Sequence, residues 1–299
     1  HMDLMAILAL NMFAFFILVL ILLREHKFKG QNIANKIFIY IVYATLLLLV
    51  VDALAWALCV QPVTANPFIA LFCNALLHSL APIPILLWAC YVHYQIFSSV
   101  AKLEKLKLFL YPFFLLNLFI SLISIKTGWY FSANASHGYE HGEYFWLHLA
   151  FCYGILLYVA YFFIVNKKLA PKKYHISLLL FPLPIIVGSI LQAAFLGFSL
   201  HWASATLSVL IIYFNIQDMG LNTDYLTGVS NRRLLDAYLK EKIEKSHTYR
   251  TFSAILIDLD GFKKINDVFG HHVGDEALQD TVKILRSCIR NDDVLARLG

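Results

Sequence analysis

Seven stretches of 16 to 31 residues carry almost no charge: residues 4–23, 36–60, 67–97, 107–125, 144–166, 175–197 and 202–217. A helix needs roughly 20 apolar residues to cross the hydrocarbon layer of a bilayer, so each stretch is expected to span a membrane. Charged residues make up only 14% of the 299-residue sequence. Soluble proteins average ~25%, so a purely soluble fold is excluded. The third stretch holds Pro82 and Pro84, which predict a kink or a tilt. His1-Met2 reads as a cloning remnant. No small-residue cleavage site follows the first run, which is therefore expected to stay as an anchor.

The remaining charges are unevenly placed. Through Gln217 there are 12 basic and 6 acidic residues, and beyond it 12 and 13. The net charge of +5 thus belongs to the loops between spans and does not point to nucleic acid. Arg24, Lys27, Lys29 and Lys36 form one basic group, Lys102, Lys105 and Lys107 a second, and Lys167, Lys168, Lys172 and Lys173 a third. These groups fall in alternate loops, and the intervening loops hold only Lys126. The positive-inside rule then puts the amino terminus outside and the carboxyl tail in the cytoplasm. Cys59, Cys73, Cys90, Cys152 and Cys288 show no metal or redox spacing, and no disulfide framework is inferred from them.

Asp52 lies in the outer half of the second span, where an ionisable group is costly unless it is paired or lines a wet cavity. Asn74, His78, His148, Tyr153 and Gln192 lie at similar depth, with Trp56 one turn from Asp52. They are candidates for an outward-facing pocket for an extracellular small molecule, either a cation framed by aromatics or a hydrogen-bonded neutral ligand. The alternative is that Asp52 bonds His78 or Asn74 as interhelical glue. His137, Glu140, His141 and Glu143 have a spacing that would hold a metal on a helix, but without periodicity around them 126–143 reads as a solvated, partly disordered loop. One buried carboxylate and no inverted repeat argue against a transporter and for a sensor.

Residues 218–223 form a short polar connection, and from Asp224 the pattern is that of an α/β domain. Helices are expected over residues 231–246, 261–269 and 276–290, with a buried strand over 252–257 and a second strand at 294–296. Asp258 and Asp260 close the first strand. Asp260 is placed to cap the following helix. Asp258 suits magnesium held against nucleotide phosphates, with Lys263 and Lys264 near the same phosphates.

The run Asp224-Tyr225-Leu226-Thr227-Gly228-Val229-Ser230-Asn231-Arg232-Arg233 resembles the opening signature of GGDEF domains, the diguanylate cyclases. Residues 258–267 and 269–278 resemble two further signatures at the usual spacing. The resemblance covers only the tail; residues 1–217 look more loosely like the seven-helix sensory modules fused to such domains. It implies a multi-pass membrane bundle of seven helices followed by a partial α/β GGDEF domain, in a bacterial inner membrane. It also implies condensation of two GTP into cyclic di-GMP by two domains meeting as a homodimer, with magnesium or manganese as cofactor. Asp258 and the Leu259 carbonyl would hold metal, Phe262 and Lys263 would contact phosphate, and Asn266 and Asp275 would read guanine. Asp275 also has the reading of a cap on a helix starting at Glu276. Arg290 and Asp293, seven and four residues ahead of Arg297, resemble the site at which cyclic di-GMP inhibits such enzymes. The name-giving acidic loop would begin at Gly299, so the domain is expected to be incomplete and the 299-residue chain alone inactive. A receptor with a degenerate, nucleotide-binding or partner-binding tail is the alternative.

Overall fold

Proline, which has no N–H to donate and clashes with the preceding turn, interrupts two of the long apolar runs. The computed structural model describes residues 4–25, 33–59, 67–134, 138–170, 174–194, 199–244, 251–290 and 293–299. The expected third span is α3 (Pro67–Leu80) and α4 (Pro82–Phe97), broken at Ala81. The expected sixth is α7 (His175–Leu180) and α8 (Pro182–Ala194), broken at Phe181. The others are α1 (Leu4–Glu25), α2 (Ile33–Cys59), α5 (Val100–Thr127), α6 (Phe145–Asn166) and α9 (His201–Asn222). Among the described residues, six helical stretches are long and apolar enough to cross a membrane; α9 is not one of them. The expected count of seven is therefore approximate. Contacts divide the chain into residues 1–213 and 214–299, a division that falls inside α9 rather than after Gln217.

The first unit exposes apolar side chains on its outside and buries a set of polar ones within a largely apolar core. Phe13, Leu20, Leu108, Tyr161 and Ile190 are exposed on helix faces. Asn11, Asp52, His78, Asn117, Ser121 and His148 are buried. Exposed apolar faces on span-length helices are what a membrane-spanning bundle requires, and several of the buried polar groups bond one another across helices. α2 is packed against α1, α3 and α4. α8 approaches α9 closely at Gly188, where a Cβ would collide with the Ser204 side chain. Small residues serve helix contacts in membranes in just this way.

The proline break places one of those partners. Pro82 cannot donate to the carbonyl four residues back, which is His78 O. Asn117 of α5 supplies the missing donor, its Nδ2 lying 3.0 Å from that carbonyl. α5 ends where Gly128 takes φ 69°, a left-handed conformation that suits glycine. The chain then forms a hairpin, β1 (Phe131–Asn134) antiparallel to β2 (Gly138–His141), with Phe131 opposite His141. The region expected as a solvated, partly disordered loop is thus paired. Tyr130 and Phe131 bury aromatic rings against Ala75, which anchors the hairpin. No group of three metal-ligating side chains occurs among the described residues, and His137 lies outside them.

In the second unit, β3 (Ser230–Asn231) pairs in parallel with β4 (Ala296–Arg297). Asn231 Oδ1 accepts from Leu234 N–H at 3.1 Å and caps α10 (Arg232–Glu244). α11 (Phe262–Phe269) follows Gly261 at φ 67°, and α12 (His271–Cys288) follows Gly270 at φ 85°. Three expectations are corrected here. The segment 252–257 pairs with no strand among the described residues, and Ile255 and Leu256 are 86% and 82% exposed. An apolar run becomes a strand only when a ladder satisfies its backbone, and the one ladder here joins β3 to β4. Neither Asp260 nor Asp275 is a helix cap. Gly261 precedes α11 without a side-chain cap bond, and α12 starts five residues before Glu276, which leaves Asp275 inside it.

If Asn117 substitutes for the amide that Pro82 lacks, the two positions are coupled. Asn117→Ala is expected to cost about 0.5–2 kcal/mol in the native bundle. In a Pro82→Ala background, where the helix can supply its own donor, the cost falls to that of the remaining bond to His148. Thermal unfolding of the four variants in one detergent measures the cycle, and strict additivity would remove the link.

Candidate nucleotide site and polar layer

The nucleotide candidates sit around two turns that glycine makes possible. Asp258 and Leu259 precede Gly261, and Phe262, Lys263 and Asn266 lie on α11. The Phe262 N–H donates to the Leu259 carbonyl at 3.3 Å, so the two backbone groups expected to serve phosphate and metal face one another across a long bond. Asp258 is exposed and forms no ion pair among the described residues. A free carboxylate beside a weakly engaged carbonyl is a hard-oxygen donor set and fits magnesium or manganese as two of its ligands. Lys263 is exposed as well.

α11 packs on α12 and sets Asn266 against Gly274, the neighbour of Asp275 in sequence. Gly274 is buried, and a Cβ there would collide with Asn266 Oδ1. The absence of a side chain at 274 is what lets the Asn266 amide lie beside the residue preceding Asp275. The Asp275 carboxylate is exposed and accepts no hydrogen bond among the described residues. Arg290 and Asp293 are bonded to each other twice: Asp293 Oδ2 accepts the Arg290 N–H at 2.9 Å, and the Asp293 N–H donates to Arg290 O at 3.1 Å. The guanidinium of Arg290 stays exposed.

One structural tie was not expected from the residues. Arg297 donates from one guanidinium nitrogen to both oxygens of Asp224, at 3.2 and 3.4 Å. The same carboxylate accepts from the Thr227 N–H at 2.9 Å and its hydroxyl at 2.6 Å. The opening signature is thereby fastened to β4. Gln279 of α12 also donates to Leu226 O at 3.2 Å. Burial pushes the Asp224 carboxyl up, but the Thr227 and Arg297 bonds outweigh it and hold it below the usual carboxylate range.

The candidates of the first unit divide into groups. Asp52 bonds neither His78 nor Asn74. Its Oδ2 accepts from Asn11 Nδ2 of α1 at 2.9 Å and from Ser199 Oγ, just before α9, at 2.5 Å, with Trp56 in reach of the same carboxylate. Gln192 accepts through Oε1 from the N–H groups of Leu200 and His201, both at 2.9 Å. Asp52 and Gln192 therefore grip consecutive residues at the head of α9. His78 and His148 lie 4.9 Å apart by ring centroid. His148 Nδ1 is 3.0 Å from Asn117 Oδ1, while His78 Nδ1 bonds Asn74 O within α3 at 2.8 Å. Tyr153 reaches Ser189, whose hydroxyl lies 2.7 Å from His201 Nδ1. Asn11, Asn117 and Ser199 were absent from the expected set. The signal for the first two was a lone amide in an otherwise apolar span; Ser199 in a short connection carried none.

Residues 221–299 match the family described as diguanylate cyclase, GGDEF domain. Among curated proteins, the bifunctional diguanylate cyclase/cyclic di-GMP phosphodiesterase MucR of Pseudomonas aeruginosa is 43% identical over 77 residues, covering 25% of this chain and 11% of that protein. The response regulator PleD of Caulobacter vibrioides is 44% identical over 78 residues, 26% of this chain and 17% of that protein. The probable diguanylate cyclase DgcC of Escherichia coli is 39% identical over 77 residues, 25% and 21%. The chain thus spans about a tenth to a fifth of the length of these relatives. No solved structure matches it.

The Asp224 tie makes a signed prediction. A carboxyl depressed by folding adds stability that is present above its unfolded value of ~3.9 and is lost as pH falls through the folded value. Acid unfolding of the tail is expected below about pH 4, and Arg297→Ala should move its midpoint to higher pH. Asp224→Asn should cost about 1–3 kcal/mol at neutral pH. Denaturant titrations of the full chain across pH, followed by a probe in the tail, check both.

Proposed function

We propose that this chain, whose residues 221–299 are a GGDEF domain behind a set of span-length apolar helices, is a membrane sensor governing cyclic di-GMP synthesis from two GTP. The observation that carries the sensing half is the grip of Asp52 and Gln192 on the head of α9. α9 runs unbroken to Asn222, two residues before the opening signature at Asp224. An extracellular ligand that competes for Asp52, or moves Asn11 or Trp56, would change how α9 is held. A two-state equilibrium responds to such a ligand by its differential affinity for the two states. The alternation of basic loops supports an amino terminus outside and a tail in the cytoplasm, and the reading taken is a bacterial inner membrane.

In the tail, Asn266 and Asp275 select guanine. A carboxylate accepts from the guanine N1 and amino donors, and the amide both donates and accepts on the same base. Lys263 holds phosphate charge, and the Phe262 N–H, released from Leu259, adds a donor beside it. Asp258 and the Leu259 carbonyl would hold magnesium or manganese, which when bound neutralises charge on the triphosphate and the departing oxygen. Two tails face each other as a homodimer. Each 3′-hydroxyl attacks the α-phosphate of the other GTP, and pyrophosphate leaves. Arg290 and Asp293 take cyclic di-GMP as an inhibitor, the guanidinium stacking on the base.

The full-length protein in nanodiscs with GTP and magnesium tests this. Asp52→Leu is expected to change basal turnover about fivefold or more, with GTP affinity unchanged. Gly274→Ala, which displaces the Asn266 amide without opening a cavity, is expected to weaken GTP binding about tenfold while thermal stability holds. Unaltered GTP affinity in that variant would remove Asn266 from the base site. GTP binding without any turnover would make the protein a nucleotide-binding receptor instead of a cyclase.

A further inference from the structure

A cleft of about 370 Å³ opens between α4, α5 and α6, lined by His93, Lys102, Lys105, Leu106, Phe109 and Tyr158. Its size lies within the ~300–1,000 Å³ of small-molecule sites. Along α5 its lysines precede Asn117 by 12 to 15 residues, roughly 20 Å at 1.5 Å per residue, so it lies well apart from the Asp52 layer. Three groups around it are open to a ligand. Lys107 is neutralised by Glu104 at 2.8 Å, whereas Lys102 and Lys105 pair with no carboxylate among the described residues. Lys102 Nζ rests instead 3.8 Å above the Phe97 ring. The Nδ1 of His93 is buried with no hydrogen-bond partner, its ring held by stacking on Phe162 at 5.6 Å.

We propose that this cleft binds the phosphate of an anionic phospholipid, with Lys102 and Lys105 as counter-charges and the His93 ring as a hydrogen-bonding wall. The occupant follows from the two ends of the cleft. Its charged lip matches a phosphate, and clustered basic side chains beside a membrane helix hold anionic headgroups. Its apolar side matches acyl chain. The seam running inward past Leu110, Ile155 and Val159 holds only about 10 Å³, so the chains lie outside it, over the exposed faces of Phe109, Phe113 and Tyr158. The site rests on the reading that these helices sit in a bilayer with the lysines at its cytoplasmic face. There it would link the lipid composition of that leaflet to the packing of α4 against α5 and α6.

The full chain in mild detergent, titrated with phosphatidylglycerol or phosphatidylcholine and read by native mass spectrometry, tests it. The wild type should retain phosphatidylglycerol preferentially. Lys102→Gln with Lys105→Gln should weaken that retention about tenfold or more. Lys102→Arg with Lys105→Arg should keep it, as should Lys107→Gln. His93→Phe, which preserves the stacking on Phe162, should weaken it severalfold. Equal retention of the two lipids by the wild type, or a preference indifferent to both lysines, overturns the proposal. Displacement of the lipid by inorganic phosphate with the same lysine dependence also overturns it, in favour of a soluble anion. Sidedness is read separately, by an impermeant maleimide on Lys105→Cys in intact cells. Labelling from outside would overturn the cytoplasmic orientation and leave the lipid preference in detergent standing.

Discussion

A polar group shut among apolar helices is costly unless it finds a partner within the protein, and several contacts between helices of the first unit answer that cost. Asp52 is the most demanding case. Its carboxylate collects donors from α1 and from the residue ahead of α9, so a single charge ties the first, second and last helices of the bundle together. Breaking such a set leaves an unsatisfied group in a medium that offers no water, which is why a modest rearrangement at Asp52 is expected to be felt along α9. Gln192 repeats the logic with a neutral group, satisfying two amides that a helix start leaves open.

The same requirement explains the histidine pair. Pro82 strands the His78 carbonyl, Asn117 answers it, and the other end of the Asn117 amide meets His148. One missing N–H therefore fixes where α5 and α6 stand relative to α3. In the second unit the organising tie is ionic: Asp224 is held by Thr227 and by Arg297 from β4. That interaction closes the opening signature onto the parallel pair of β3 and β4, and the glycines at 261 and 270 set the turns around α11.

Much of this was readable from residue order. Pro82 and Pro84 announced the break at Ala81 and the apolar stripe from Asn231 announced α10, whereas the break at Phe181 and the Asn231 cap came only with the structure. The buried positions of Asp52, His78 and His148 followed from their depth in apolar runs. Their partners did not follow, because hydrogen bonds between helices depend on rotation about each axis, and the spans are apolar on nearly every side. The loop at 126–143 concealed a hairpin because its pairing is fixed by Tyr130 and Phe131 packing under α3, a contact between distant positions. The segment 252–257 shows the reverse error. Its composition favours a strand, and its backbone finds no ladder.

Residue order alone therefore determined which stretches are apolar enough to be membrane spans, where the third of them breaks, and the identity of the tail through three ordered signatures. These are properties of local composition and spacing, and they need no knowledge of neighbours. Tertiary structure alone decided that Asp52 answers to Asn11 and Ser199, that Asn266 lies against Gly274, and that Arg297 reaches back 73 residues to Asp224. Each of these is a short-range contact between groups on different elements, and short-range forces act only once packing has brought the groups together.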